Sequence, residues 1–184
     1  MLKRIAFLIA SLLLVASCGG SGTAGPNATA TTTATAIQSA AAFPASVTDF
    51  QNRSVAISRR PERIVSIGPS NTEFLFALGA GDRVVGDDDF SDEPAAAKTK
   101  EHVGGVKVNL EKVASLRPDL IITVKFADGT VEALTQLGAA VLVVDPQGLS
   151  DVARTATLLG QAVGADGRAL AADIQKQLDA VTAK

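Results

Sequence analysis

The sequence has no tryptophan and no tyrosine, and it carries one cysteine, one histidine and one methionine. A single cysteine excludes an internal disulfide. One cysteine with one histidine is too few for a Cys/His-ligated structural zinc. The lone histidine, His102, also leaves no nucleophile–histidine–acid set to assemble. Charge of either sign is barely in excess: 17 basic against 19 acidic residues, a formal net charge of −2. The clustered basic surplus of a nucleic-acid binder is missing, and no nucleic acid partner is expected. There is no phosphate loop ending in Gly-Lys-Ser/Thr. Gly79-Ala80-Gly81 followed by Gly86 resembles a dinucleotide fingerprint, but it follows a predicted helix and precedes a predicted strand, the reverse of the required context.

What charge there is avoids the front of the chain. Residues 1–42 hold only Lys3 and Arg4 and no acid, so residues 43–184 carry 15 basic and 19 acidic groups. Ile5 to Ala16 is an apolar run broken by Ser11. It falls short of the ~20 residues that span a bilayer and fits the apolar region of a secretory signal over 1–17. The run ends in Val15-Ala16-Ser17-Cys18, which resembles the bacterial lipobox. The resemblance implies that Cys18 is lipidated and becomes the first residue after cleavage, anchoring the chain at a membrane. Gly19 to Ala42 is Gly, Ser, Thr and Ala with one proline, Pro26, and almost no large apolar side chain. Such a segment cannot bury enough surface to offset chain entropy, so 18–42 reads as lipidated cysteine plus disordered tether.

The body, 43–165, repeats one unit. Val47 to Ile57 reads as a hairpin about the polar turn Asp49 to Arg53. Pro61-Glu62-Arg63 leads into the strand Ile64–Ile67, a Gly-Pro turn, a helix to Leu78, Gly79 and the strand Arg83–Val85. Arg117-Pro118-Asp119 leads into Leu120–Val124, a loop, a helix from about Thr130 to Leu137, Gly138 and the strand Val141–Val144. The strands are continuous apolar runs, which suit a parallel sheet covered on both faces. The fold class expected is α/β: a Rossmann-like parallel-sheet lobe with flanking helices, an amino-terminal β-hairpin, and a last helix over 166–184. Asn109 is the expected cap of a short helix over Leu110–Leu116, and Ser150 that of a helix through Leu159. The last helix places Leu170, Ile174, Leu178 and Val181 at helical spacing and shows no stop signal before Lys184, so it reads as cut.

In open α/β sheets the ligand sits at the carboxyl ends of the strands. Four loops qualify: Gly68–Asn71, Gly86–Asp92, Lys125–Asp128 and Asp145–Gln147. Ser70 and Glu73 fit a capping box at a helix start; the alternative is a helix amino terminus that offers amides to a ligand. Asp87-Asp88-Asp89 reads as a solvated turn, because three consecutive side chains do not converge on a cation. His102 reads as a surface or packing residue, and no metal site is expected.

From Phe43 onward the chain resembles the substrate-binding proteins of ABC importers for vitamin B12, iron siderophores and haem. The likeness is carried by Arg60-Pro61-Glu62-Arg63-Ile64-Val65-Ser66, by the run from Pro69-Ser70-Asn71-Thr72-Glu73 through Gly79-Ala80-Gly81 to Gly86, by Phe90-Ser91-Asp92 with Pro94, by Val103-Gly104-Gly105, by Asn109-Leu110-Glu111-Lys112-Val113 and by Leu116-Arg117-Pro118-Asp119. Asp87 and Glu93 depart from the pattern and make the rim more polar. The resemblance implies a two-lobed binder with only its amino-terminal lobe and the start of its inter-lobe helix present. It further implies Ser70, Asn71, Phe90, Ser91, Gly105 and Phe126 as pocket-lining, and Glu101 as the acid that meets permease arginines. The implied partners are an ABC permease, a metal chelate (cobalamin, siderophore or haem) and a membrane reached through the lipid anchor, facing the periplasm or cell exterior. No cofactor and no catalysis are expected. Two other readings stand beside this one: a surface Rossmann-like enzyme or cofactor-binding domain, and a non-functional fragment. Mass spectrometry of the mature amino terminus should find a diacylglycerol-modified Cys18; an unmodified start elsewhere, or membrane association that survives Cys18→Ala, would remove the anchor.

Overall fold

The computed structural model describes residues 42–182. The expected signal, Cys18 and nearly all of the tether lie outside them. The first element is the expected hairpin, β1 (Ala45–Thr48) paired antiparallel with β2 (Ser54–Ile57). Its turn is organised by Asp49, which is fully buried. The Asp49 carboxylate accepts from the amides of Gln51 and Arg53 and from the Arg53 guanidinium, each at 2.9 Å. An aspartate that bonds its own following backbone is the usual way such a turn is closed.

The rest alternates strand and helix: β3 (Ile64–Ser66), α1 (Pro69–Ala77), β4 (Val84–Asp87), β5 (Glu101–His102), α2 (Leu110–Ser115), β6 (Leu120–Thr123), α3 (Thr130–Thr135), β7 (Ala140–Val143), α4 (Ser150–Val163) and α5 (Gly167–Thr182). Five strands make one sheet in the order β5-β4-β3-β6-β7, with every pairing parallel. Parallel strands need covered crossovers, and both faces are covered. Along β6, Leu120 and Ile122 join one core cluster with Ile64, Leu75, Leu142 and Leu159, whereas Ile121 joins the other with Val65, Val113, Leu134 and Val143. That division explains the continuous apolar runs: successive side chains point to opposite faces, and both faces are dry. Each fully buried Leu or Ile contributes roughly 1.5–3 kcal/mol relative to exposure. The hairpin closes the β7 edge, where the Phe50 amide donates to the Val143 carbonyl at 3.1 Å.

Helix ends follow the sequence signals in part. Gly79 and Gly138 follow α1 and α3 with φ of 69° and 82°, left-handed values that favour glycine. The Asn109 side chain accepts from the Lys112 amide at 3.0 Å, as a cap should. Ser70 does not cap: α1 already begins at Pro69, its N-cap is Gly68, no side chain caps it, and Ser70 and Glu73 are exposed on the helix. Ser150 does not cap either, because α4 begins on it with Leu149 at the N-cap. This helix runs past the expected Leu159 to Val163, where Gly164 turns left-handed at φ 71°. β5 was not anticipated; it is two residues long, polar and exposed.

α4 and α5 cross tightly where two glycines meet. A Cβ on Gly160 would collide with the Gly167 backbone, and one on Gly167 with the Ala156 carbonyl. Helix propensity alone would make Gly160→Ala stabilising by about 1 kcal/mol. Overpacking of this kind costs about 1–3 kcal/mol. The expected net result is destabilisation, read as a lower urea midpoint with faster amide exchange in α5; a raised midpoint would show that the crossing is loose.

Candidate ligand-binding site

The sheet order reverses between β3 and β6, which makes this the topological switch point where α/β sheets hold ligands. The two loops leaving it are in contact. Gly68 has φ 115°, and a Cβ there would fall 2.7 Å from Val124 Cγ1. Glycine is therefore required twice, by conformation and by space.

The rim is locked by Asp88, which is 2% exposed. Its Oδ2 accepts from the Gly68 amide and, at 3.0 Å, from the Ser91 hydroxyl, while its Oδ1 accepts from the Phe90 amide at 2.8 Å. The network continues inward: Thr72 Oγ1 donates to Ser66 Oγ at 2.8 Å and lies 2.9 Å from Ser91 Oγ. One carboxylate therefore ties the loop after β3 to the loop after β4. A third loop joins through the Asp89 amide, which donates to the Gly104 carbonyl at 3.1 Å. The expectation that Asp87-Asp88-Asp89 is a solvated turn is corrected: Asp87 and Asp88 are buried and only Asp89 is exposed. Charge-assisted bonds to three converging donors outweigh the cost of taking Asp88 out of water. The sequence signal that could have found Asp88 is an Asp two residues before the turn and three before a Ser, a side chain able to bond its own following backbone.

The residues expected at the pocket separate into two kinds. Phe90 is 56% exposed, and its ring lies over Gly105, where a Cβ would come within 3.0 Å of two ring atoms. Val106, next along, is 87% exposed. Together these three make an open apolar wall. Asn71 and Ser91 are buried instead, Asn71 donating from Nδ2 to the Ile67 carbonyl at 2.9 Å. They shape the rim from beneath. Phe126 is partly buried against the cluster containing Val65 and Ile67. Ser70 stands apart from the wall, lining a groove of about 260 Å³ between α1 and α5 with Phe74, Leu170 and Ile174. A second pocket, of about 510 Å³, opens at the opposite pole around Ser58, Arg59, Pro118 and Asp119.

Glu101 is exposed on β5 and pairs with Lys112 of α2 at 3.2 Å. His102 is not solitary: its Nδ1 lies 2.9 Å from Asp87 Oδ1, and the ring is only part-buried. Burial pushes the Asp87 carboxyl up to about 6; its bond to His102 and the charge there pull the other way, and Asp88 adds to the rise. Among the described residues there is no group of three or more His, Cys, Asp and Glu placed to hold a metal ion, and no helix long and apolar enough to cross a membrane.

Comparison with known proteins fits this geometry. The family model described as periplasmic binding protein matches residues 64–184, and the chain belongs to that family. It is 37% identical over 169 residues to the uncharacterized ABC transporter substrate-binding lipoprotein YvrC of Bacillus subtilis (strain 168), covering 89% of this chain and 52% of the relative. It is 36% identical over 112 residues to the vitamin B12-binding protein of Vibrio vulnificus (strain CMCP6), covering 59% of this chain and 41% of the relative. The fold is similar to that of the haem binding protein HmuT, with TM-score 0.63, 26% identity, and 71% of this chain and 45% of the other covered. It is also similar to the periplasmic vitamin B12 binding protein BtuF of Vibrio cholerae, with TM-score 0.60, 30% identity, and 65% and 49% covered. The chain thus spans about half the length of the relatives it matches.

The raised Asp87 pKa has a signed consequence. An acid whose folded pKa stands above its unfolded value near 4 keeps its proton longer when folded, so rising pH penalises the folded state. This group's contribution to stability should fall as pH climbs from about 4 to about 6 and then stay level. Urea midpoints of wild type and Asp87→Asn across that window should diverge in this sense, with the variant lacking the decline. A wild type that gains stability relative to the variant over that window would refute the assignment.

Proposed function

We propose that this chain is the amino-terminal lobe of a lipid-anchored binding protein of an ABC importer, and that it offers one wall to a cobalamin, haem or ferric-siderophore chelate. The observation that carries this reading is the exposed Phe90–Gly105–Val106 wall beside the switch point, held rigid by Asp88. An apolar face on a fixed frame suits a large, flat or globular chelate that needs little loop closure. Asn71 and Ser91 set the wall's position, Phe126 borders it, and Ser70, apart from the wall, lines the groove between α1 and α5. α5 is read as the start of the helix leading to a second lobe. Glu101 is the proposed contact for a permease arginine. Its pair with Lys112 is an exposed one, worth ~0–1 kcal/mol, so exchanging Lys112 for an arginine across an interface costs little.

A nucleotide-binding or enzymatic reading is less well supported. A dinucleotide site needs free amides at the first helix, and the Gly68 amide is already taken by the buried carboxylate of Asp88. A pyrophosphate would meet that carboxylate's charge.

Calorimetry is the suitable test, because the chain has no tryptophan or tyrosine to report by fluorescence. One wall leaves half of a chelate in water, so cyanocobalamin, haemin or a ferric siderophore should bind with a dissociation constant of about 1 µM or weaker. Nanomolar binding by the monomer would mean that one lobe is a complete site. Heat with NAD and none with any chelate would reject the transport reading. In a chain carrying both lobes, Glu101→Arg should impair uptake and leave chelate affinity unchanged; normal uptake by that variant would reject the docking role.

A further inference from the structure

Charge is unevenly placed between the two ends of the sheet. At the carboxyl ends of the strands, Asp89, Asp92, Glu93 and Asp128 are exposed against Lys107 and Lys125. At the amino ends, Arg59, Arg60, Arg63 and Arg117 are exposed. The acids facing this pole are Glu62 and Asp82, both exposed, the half-buried Asp166, whose Oδ1 accepts from the Arg168 and Ala169 amides, and Asp119. Asp119 is largely occupied: its two carboxylate oxygens accept from the Glu62 and Arg63 amides at 3.0 Å, and Arg59 is 3.7 Å away. Arg83 is spent internally on the Pro61 and Val163 carbonyls, which brace the pole without adding to its surface. The pocket of about 510 Å³ at this pole has Arg59 and Asp119 as its charged lining and has room for a headgroup beside Arg59.

The same pole is where the preceding chain arrives. β1 begins at Ala45, in register with Ile57 beside Ser58 and Arg59, and Phe43 and Arg60 both flank Gly164. The residues before the lobe therefore join it among the arginines. We propose that this arginine-rich amino pole docks on an anionic lipid bilayer, so that the anchored lobe rests with its ligand-binding wall facing away from the membrane. The inference rests on the anchoring reading for its tether, and on the charge distribution for its orientation. An anionic surface attracts the four arginines and repels the acidic mouth, so both ends favour the same pose. Arrival of a permease partner at Glu101 on β5 then requires the lobe to leave the lipid, which the tether allows.

Hydrogen exchange on the lipidated chain tests this, comparing phosphatidylcholine vesicles with vesicles containing about 30% phosphatidylglycerol, the anionic component that should attract the arginines. Peptides covering 56–63 and 115–119 should exchange severalfold more slowly on the anionic vesicles. Peptides covering 88–92 and 104–107 should not change. The protection should vanish in about 0.5 M NaCl, where screening is short-ranged, and in the Arg59→Glu/Arg60→Glu variant, whose changes fall on exposed side chains. Equal protection on neutral vesicles, protection of the mouth, or the same effect from inorganic phosphate alone would overturn the proposal. A chain without lipid on Cys18 that still cosediments with anionic vesicles in low salt supports the pole independently of the anchor, which the mass of the mature amino terminus decides. A lipidated chain with an unprotected pole keeps the anchor and removes the pole.

Discussion

The carboxylate of Asp88 is the constraint on which the rim of this lobe depends. Three loops leave the carboxyl ends of β3, β4 and β5, and no regular hydrogen-bond ladder joins them beyond the strands. Asp88 supplies the missing joint, accepting from the backbone of Gly68 on one loop and of Phe90 on its own, and from the Ser91 hydroxyl. Bonds to a charged acceptor are worth about 1.5–3 kcal/mol each, and an unfilled buried carboxylate would cost several. The balance is favourable only because the donors converge. It is also all-or-none: remove the acceptor, and buried donors on two loops lose their partner together. The neighbouring Asp87, with one oxygen on His102 and the other without a hydrogen-bond partner among the described residues, shows the opposite balance and has its pKa raised accordingly.

The sheet explains why the joint is placed where it is. With β3 at the centre and the chain winding outward first to β4 and β5, then to β6 and β7, the loops after β3 and β6 part company at the switch point. Gly68 against Val124 keeps that crevice narrow at its base. Asp88 fixes one bank of it, and the Gly104–Val108 bridge presents Gly105 and Val106 beside Phe90. At the far edge the hairpin is held by the same chemistry: Asp49 Oδ2 also accepts from the Val143 amide at 3.3 Å. Two buried aspartates thus stitch irregular segments onto an apolar sheet, one at each side.

What the sequence made legible was the part governed by apolar burial. The runs at Ile64, Leu120 and Val141 are strands because both faces are covered. Gly79 and Gly138 follow helices because only a left-handed turn leaves there cheaply. Asn109 caps because its short side chain reaches the Lys112 amide. What stayed hidden was polar structure decided by tertiary partners. Asp88 sits in a run of acids that composition alone reads as solvated, and nothing local reveals the Gly68 amide twenty residues away. Ser70 has a capping pattern, but Pro69 begins the helix one residue earlier, and the Gly68 carbonyl already accepts from the Asn71 and Thr72 amides. β5 has no apolar pattern; its pairing depends on the Val103 amide reaching the Asp87 carbonyl. Among the expected site residues, the exposure of Phe90 was legible from its place in a polar loop. The burial of Asn71 and Ser91 was not, because the same small polar residues serve equally as contacts or as struts.

That division between contacts and struts bears on how such a lobe changes specificity. A wall of Phe90, Gly105 and Val106 stands on a frame whose bonds run to the buried Asp88 carboxylate from backbone amides and the Ser91 hydroxyl, so substitutions of the exposed Phe90 and Val106 side chains leave those bonds untouched. The frame tolerates little at Gly68, which has no room for a side chain, and within the wall a Cβ at Gly105 would press on the Phe90 ring. On the proposed reading, ligand preference varies through one or two exposed side chains while loop geometry stays fixed. Relatives whose names assign them to haem or to vitamin B12 share this lobe's fold at 26–30% identity. A rigid frame with a replaceable face is a physical route by which one fold serves chelates so different in shape and charge.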